Sequence, residues 1–514
     1  MAKESALKRY LEKMQVSGGD VDDVMVAYLA QLEEVRKVSP LVASRIVREL
    51  DNQRSHLKLI ASENYSSPAV HLSMGNLLTD KYAEGFAYHR YYAGCDNVDA
   101  IEDYACKTAC ELFGADHAYV QPHSGADANL CAYWAILNAL VEVPALEEMG
   151  VTNPAVLTRE QWNTIRERTG SQRLLGLDYY SGGHLTHGYR LNVSAQMFDA
   201  YSYSVDEKTG LLDYDEIERL AKEIKPLILL TGYSAYPRKI NFHRMREIAD
   251  SCGAVLMCDM AHFAGLVAGK VFEGDYDPVK WADVVTTTTH KTLRGPRGGM
   301  ILCRQRFADS VDQGCPLVIG GPLPHVMAAK AVALTEASSP VFQDYARKVV
   351  ENAKALAQAF LDEGLALQTN GTDNHLMLLN VAGFGINGRQ AESALIDCGI
   401  TLNRNALPFD PNGPWYTSGL RIGTPAVTTL GMGPEEMKEI ASIISFVLRN
   451  TRPAKITKGE KAGTLSKAKA VTDKDAKAQA IERVHNLLGR FVLYPQLDLA
   501  FLEENFCIDE DRIL

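Results

Sequence analysis

The sequence lacks the marks of several common classes. Its ten cysteines contain no CxxC pair and no tidy spacing, so neither a zinc ribbon nor a disulfide-stapled scaffold is expected. The opening stretch, MAKESALKRYLEKMQ, has no apolar core of the signal-peptide kind. Together these predict a reducing, cytoplasmic setting. The most tempting apolar run, GAVLMCDMAHFAGLVAG from Gly253, carries Asp259 and His262, which a bilayer-facing helix would not tolerate cheaply; no membrane span is predicted. A net charge of -11 offers no general attraction for nucleic acid. No internal repeat is evident.

What remains is an ordinary globular composition, 46% hydrophobic and 23% charged, in a chain of 514 residues, long enough for more than one domain. From about Leu57 to Trp281 short apolar runs alternate with amphipathic ones, the pattern of helices packed on a mostly parallel sheet. Strands are expected in PLILLTGYSAYP (226–237), AVLMCD (254–259) and DVVTTTT (283–289), and crossover helices in DYDEIERLAKEI (213–224) and HRMREIADSCG (243–253), the latter stopped by Gly253. Ligands gather at the carboxyl ends of such strands, and all three end in polar residues. The polar segment 141–177 reads as an insertion. After Pro340, long helices and the strand HLMLLNV (375–381) predict a smaller α+β domain, with the Lys- and Ala-rich 453–480 as a solvated loop before a helix. The resulting division is an N-terminal helical arm (1–60), a large domain (61–340) and a C-terminal domain with an extended tail (341–514).

The chemistry starts at VVTTTTHKTLRGPRGG (284–299). A lysine at a strand end, beside His290 and in a crevice, suits Schiff-base formation, because burial and cationic neighbours lower its pKa. An isolated lysine would more often be a surface residue. Three features favour the reactive reading. Asp259 ends an apolar strand and needs a cationic partner, although it could instead cap the following helix. PHSGADAN (122–129) puts small residues where a helix begins and can hold a phosphate. GGPLPH (320–325) adds a glycine pair whose simpler reading is a tight turn. Pyridoxal 5'-phosphate uses all three, with its aldehyde, ring nitrogen and phosphate. No metal site is expected.

LIASENY (59–65), DKYAEGFAYHRYYAGC (80–95), GGHLTHG (182–188), DMAHFAGLVA (259–268), the lysine segment and TSGLRIGTPAVTT (417–429) together resemble serine hydroxymethyltransferase, from roughly Leu57 to Arg449 and again at RVHNLLGRF. The resemblance implies an α/β, fold-type-I pyridoxal-phosphate enzyme with a seven-stranded, mostly parallel sheet and a smaller C-terminal α+β domain. It implies a homodimer with shared active sites, and interconversion of serine plus tetrahydrofolate with glycine plus 5,10-methylenetetrahydrofolate in one-carbon metabolism. By motif, Lys291 resembles the cofactor lysine and Asp259 the partner of the ring nitrogen. His184 resembles the group stacked on the ring, with Ser234 and His262 near the ring hydroxyl. Ser124, Gly125 and Ala126, His290, Arg297, Tyr82 and Gly321 fall on the cofactor's phosphate side or order the site, Gly321 serving the neighbouring subunit, and Thr288 lies near the reactive carbon. Arg421, helped by Ser62, matches the carboxylate clamp. Glu84 and Tyr92, with Tyr91, resemble the groups that handle protons near the substrate hydroxyl and folate. The folate site would draw on Tyr179, Gly183, His184, Leu185, Asn405 and the turn Gly413, Pro414, Trp415.

Two departures stand out. Relatives usually read SGSQAN where this chain has SGADAN, replacing a hydroxyl by Ala126 and an amide by Asp127; one lost bond to a charged phosphate costs about 1.5–3 kcal/mol. Tyr179 replaces a usual leucine where folate is expected to pack. The competing readings are a threonine-type aldolase of the same fold, against which Glu84, Tyr91 and Asn405 argue, and a non-catalytic binding relative, against which Lys291 and Asp259 argue.

Overall fold

The structure is a computed structural model that describes residues 5–459 and 461–508. Its centre is a seven-stranded sheet: β1 (His117–Tyr119), β2 (Arg173–Leu177), β3 (Asp199–Tyr203), β4 (Ile228–Gly232), β5 (Val255–Asp259), β6 (Val284–Thr288) and β7 (Gly299–Cys303). The spatial order is β1-β7-β6-β5-β4-β2-β3. Only β7 runs against its neighbours, pairing Ile301 with Tyr119 on one side and with Thr286 on the other. Every residue of β4 to β7 is buried, as expected of strands covered by helices on both faces.

The crossover helices form where amphipathic spacing and caps coincide. Asp213 accepts the Asp215 and Glu216 amides to start Tyr214–Ile224, and Asn241 accepts the Arg244 amide to start Phe242–Cys252. Gly253, at φ 74°, ends the second of these in the left-handed conformation. A continuous helical run, Gly125–Glu148, has the length and apolar composition of a membrane-crossing segment. Here its Cys131, Tyr133, Ile136 and Leu137 pack in the core against Leu230, Met257 and Ile301 of the sheet.

Two expectations need correction. The segment 141–177 is not an insertion throughout: Arg173–Leu177 is β2, paired in parallel with both β3 and β4. The Lys- and Ala-rich stretch is not a loop. Thr451–Lys455 and Leu465–Thr472 form an antiparallel hairpin leading into the helix Lys474–Arg490.

A second core surrounds a four-stranded antiparallel sheet made of Ala366–Leu367, Leu376–Asn380, Gly419–Gly423 and Asn403–Asn405, in that spatial order. Helices Pro340–Asp362 and Pro434–Arg449 pack over it. A third cluster joins the first three helices (Ala6–Ser17, Asp23–Val38, Pro40–Ser55) to Leu499–Phe506 through Tyr10, Leu29, Val47 and Phe501. The two sheets meet where His262 Nδ1 faces His375 Nε2 at 3.2 Å and Asn374 donates to the Tyr233 hydroxyl at 3.0 Å.

Beneath the sheet's ligand edge lies a buried cation. The Lys330 ammonium donates to the carbonyls of Val120 (2.6 Å), Pro122 (2.9 Å) and Gly299 (2.9 Å), tying the end of β1 to the start of β7. Gly299 has no room for a side chain, since a Cβ would lie 2.1 Å from the Ser124 carbonyl oxygen. Lys330→Met takes the Lys330 donor from the buried Val120 and Gly299 carbonyls, while the Pro122 carbonyl keeps the Gly299 amide at 2.9 Å; at about 1–3 kcal/mol for each group left unsatisfied, it is expected to lower the thermal unfolding midpoint by several degrees. An unchanged midpoint would show that the Val120 and Gly299 carbonyls find other donors.

Candidate functional site

A cavity of about 550 Å³ opens at the carboxyl ends of β4, β5 and β6 and is closed from above by Asn403, Asn405 and Arg421 of the smaller sheet. Its wall brings together Ser62, Ser124, Gly125, Ala126, Tyr179, Gly183, His184, Leu185, Ser234, Asp259, His262, Thr288, His290, Lys291, Arg297, Asn405, Pro414 and Arg421.

Asp259, the last residue of β5, is the anionic anchor. Its Oδ2 accepts from Asn129 Nδ2 at 2.9 Å and from His187 Nε2 at 3.2 Å, and its Oδ1 from the Ala261 amide at 3.0 Å. Burial alone would push its pKa up. The bond and charge of His187, with His184 and Asn129, outweigh burial and hold the carboxyl below the usual carboxylate range. Asn129 is fixed in turn, donating to Thr186 Oγ1 at 2.7 Å and accepting from Thr286 Oγ1 at 2.5 Å.

Lys291 follows β6 by three residues, with a backbone φ of 58°, rare for a side-chain-bearing residue. The turn is held on both sides. Asn64 Nδ2 donates to the Lys291 carbonyl at 2.9 Å, and Thr292 Oγ1 donates to the His262 carbonyl at 2.8 Å. Burial lowers the ammonium's pKa to about 8, against the pull of Asp259 and with the push of Arg421 and Arg297. Burial likewise brings His184 to about 4 and His290 to about 3, so both are neutral in the physiological range.

Arg421, on Gly419–Gly423, is pinned by Asn403 Oδ1 (3.1 Å) and the Ser234 carbonyl (2.8 Å), and burial lowers its pKa to about 10. Its Nη2 bonds no protein acceptor among the described residues. The helix Gly125–Leu137 points its amino end into the cavity, with Ser124 as its cap.

The remaining expected residues lie off this wall. Tyr82, Tyr91 and Tyr92 are exposed and Glu84 is partly so; the Tyr82 hydroxyl donates to Glu84 at 3.2 Å. Their segment is fixed by the Arg90 guanidinium, which bonds Asp99, Glu102 and the carbonyls of Ala83 and Gly85. Gly321 packs beside the Tyr82 ring. Gly413 borders a neighbouring depression with Tyr180 and Phe409, and the guanidiniums of Arg389 and Arg404 lie 5.2 and 5.8 Å from the ring centre of exposed Trp415. Asp127 does not face the cavity but accepts the Ser124 hydroxyl.

Sequence reasoning assigned no role to Asn64, Asn129, Thr186, His187 and Asn403. The first four stand inside motifs already noted, IASENY, SGADAN and GGHLTHG, and the only further signal was that polar side chains so near a buried carboxylate or a buried turn need partners.

Pyridoxal phosphate fits what is present. Asp259 offers a buried acceptor, the Gly125 and Ala126 amides precede the first helical bond, and His290 Nδ1 is buried with no partner among the described residues. Sheet order, lysine and aspartate thus define a fold-type-I pyridoxal-phosphate enzyme. A family model described as serine hydroxymethyltransferase matches residues 35–150 and 162–444. The chain is 62% identical to the serine hydroxymethyltransferase of Treponema pallidum, over 98% of this chain and 86% of that one. It is 56% identical to that of Cutibacterium acnes (92% and 96% covered) and 49% to that of Chlamydia trachomatis serovar D (97% and 99%). The chain belongs to the serine hydroxymethyltransferase family.

The lysine's charge can be read directly. Reductive methylation of Lys291 by formaldehyde, followed by mass spectrometry on the apoprotein, should rise with pH and reach half its plateau near pH 8, since only the neutral amine reacts. Asp259→Asn removes the attraction that holds the ammonium's pKa up, so the half-point should fall. A half-point near that of a free lysine, or one unmoved by Asp259→Asn, would contradict the electrostatics.

Proposed function

We propose that the protein interconverts serine and tetrahydrofolate with glycine and 5,10-methylenetetrahydrofolate. The observation that carries this is the convergence of Lys291, Asp259 and Arg421 on one cavity beside Tyr179, Leu185 and Asn405. Pyridoxal phosphate, when bound, supplies an aldehyde for an amine and a ring that accepts the electron pair of a broken Cα bond.

The chain's own residues do the rest. Lys291 offers an amine that loses its proton near neutral pH. Asp259 stays ionised and keeps a proton on the ring nitrogen. His184, neutral, would pack against the cofactor's ring, and Ser234 and His262 would bond its hydroxyl. The amino ends of Gly125 and Ala126, with Ser124, His290 and Arg297, hold the phosphate, while Thr288, whose hydroxyl donates to the Ala261 carbonyl at 3.2 Å, steadies the loop after Asp259. The free Nη2 of Arg421, with Ser62, would take the amino-acid carboxylate in a charge-assisted contact and so orient the substrate in the cavity. Folate lies against Tyr179, Gly183, Leu185, Asn405 and Pro414, with Gly413 and Trp415 at the rim.

Glu84, Tyr82, Tyr91, Tyr92 and Gly321 are assigned to the site of a second copy, making a homodimer with shared sites. Their position off the cavity wall and the exposure of the tyrosines support this reading. In this division residues 61–340 carry the cofactor, 341–514 close over it, and 1–60 form the arm.

Lys291→Ala should abolish tetrahydrofolate-dependent release of glycine from serine; retained activity would sink the assignment. Arg421→Ala should raise the KM for serine about 10- to 100-fold, the worth of a charge-assisted pair, with the cofactor's visible absorption unchanged. Mixing inactive Glu84→Gln with inactive Lys291→Ala should restore activity, because one hybrid site then holds both native residues. No restoration would place Glu84 in its own chain's site.

A further inference from the structure

The Ser124 hydroxyl has one proton, and the structure shows where it goes. Ser124 Oγ accepts the Asp127 amide at 3.1 Å and donates to Asp127 Oδ2 at 3.0 Å, so residue 127 takes both sides of the hydroxyl. Ser124 lies on the cavity wall at the amino end of a 13-residue helix, and Asp127 does not. The same carboxylate, in the first turn, also occupies the positive end of that helix, which favours any nearby anion.

We infer that Asp127 is a positioning residue that competes with the cofactor phosphate for the Ser124 proton and so sets how firmly the cofactor is held. This rests on the reading of the Ser124 helix as the phosphate anchor. Without cofactor, Asp127 holds the hydroxyl turned away from the cavity. A phosphate that takes the proton leaves Asp127 Oδ2 without its donor and sets two anions at one helix end. If the proton stays with Asp127, the phosphate relies on the Gly125 and Ala126 amides and the neighbouring side chains. Either way a contact that Ser124 could make is lost or weakened. Ala126 cannot replace it, since its side chain has no donor.

The test is a double-mutant cycle on cofactor retention. Dissociation of pyridoxal phosphate is measured by equilibrium dialysis of the apoprotein, for the wild type, Asp127→Ala, Ser124→Ala and the double variant. Asp127→Ala should bind about ten-fold more tightly, the value of one freed charge-assisted bond. Ser124→Ala should weaken binding less in the wild-type background than in the Asp127→Ala background, where the loss should be about ten-fold. Asp127→Asn, which keeps the side-chain shape and removes the charge, should shift binding in the same direction, and thermal unfolding of each apoprotein checks that the helix survives. Asp127→Ala that binds no more tightly, or Ser124→Ala that weakens binding equally in both backgrounds, overturns the inference while leaving the anchor in place. A wild type that binds no pyridoxal phosphate overturns the anchor reading and the inference with it.

Discussion

The site depends on one buried carboxylate that stays ionised. Asp259 ends a strand whose every residue is buried, and desolvation there works against its charge. The bond and charge of His187, with His184 and Asn129, reverse that, and the Ala261 amide bonds the other oxygen. Asn129 is held between Thr186 and Thr286, and the Ala261 carbonyl accepts from Thr288. The β-branched threonines of β6 therefore do more than favour an extended chain: two of their hydroxyls steady the surroundings of the carboxylate one strand away. Remove the carboxylate's charge, and Lys291 loses the attraction that opposes its desolvation.

The rest of the cavity follows an economy of charge. Lys291, Arg297 and Arg421 supply cations, Asp259 an anion, and burial keeps His184, His290 and His375 neutral near physiological pH. Such a surrounding suits a ligand that carries a phosphate and a carboxylate while presenting one protonated ring nitrogen. Arg421 illustrates how the two sheets cooperate: its strand belongs to the smaller sheet, yet the carbonyl that aims it belongs to Ser234, just beyond β4 of the larger. Arg421 is thus aimed into the cavity only when the two units are packed together.

Much of this was legible in the residues. Polar endings on apolar runs locate β4, β5 and β6 and their shared edge, and Lys291 and Asp259 stand out at strand ends, whereas Arg421 is marked only by the resemblance carried by TSGLRIGTPAVTT. β2 was missed because Arg173 and a turn-rich approach disguised a short strand that all but Arg173 is buried, and only pairing with β3 and β4 declares it. The late hairpin is hidden for the opposite reason: SKAKAV alternates with the period of a strand, but its lysine-rich composition reads as a solvated loop. Nor could spacing show that Asp127 turns to Ser124 instead of the cavity, or that Tyr82, Tyr91 and Tyr92 lie off its wall. Those are matters of side-chain direction, which sequence alone does not set.

Asp259, kept ionised by His187, His184 and Asn129 against its burial, should hold a proton on the cofactor's ring nitrogen. Nitrogen NMR of the enzyme loaded with pyridoxal phosphate isotopically labelled at that atom measures it. A protonated pyridinium resonance should persist from mildly acidic to mildly alkaline pH. A ring nitrogen without its proton at neutral pH in the wild-type enzyme would contradict it.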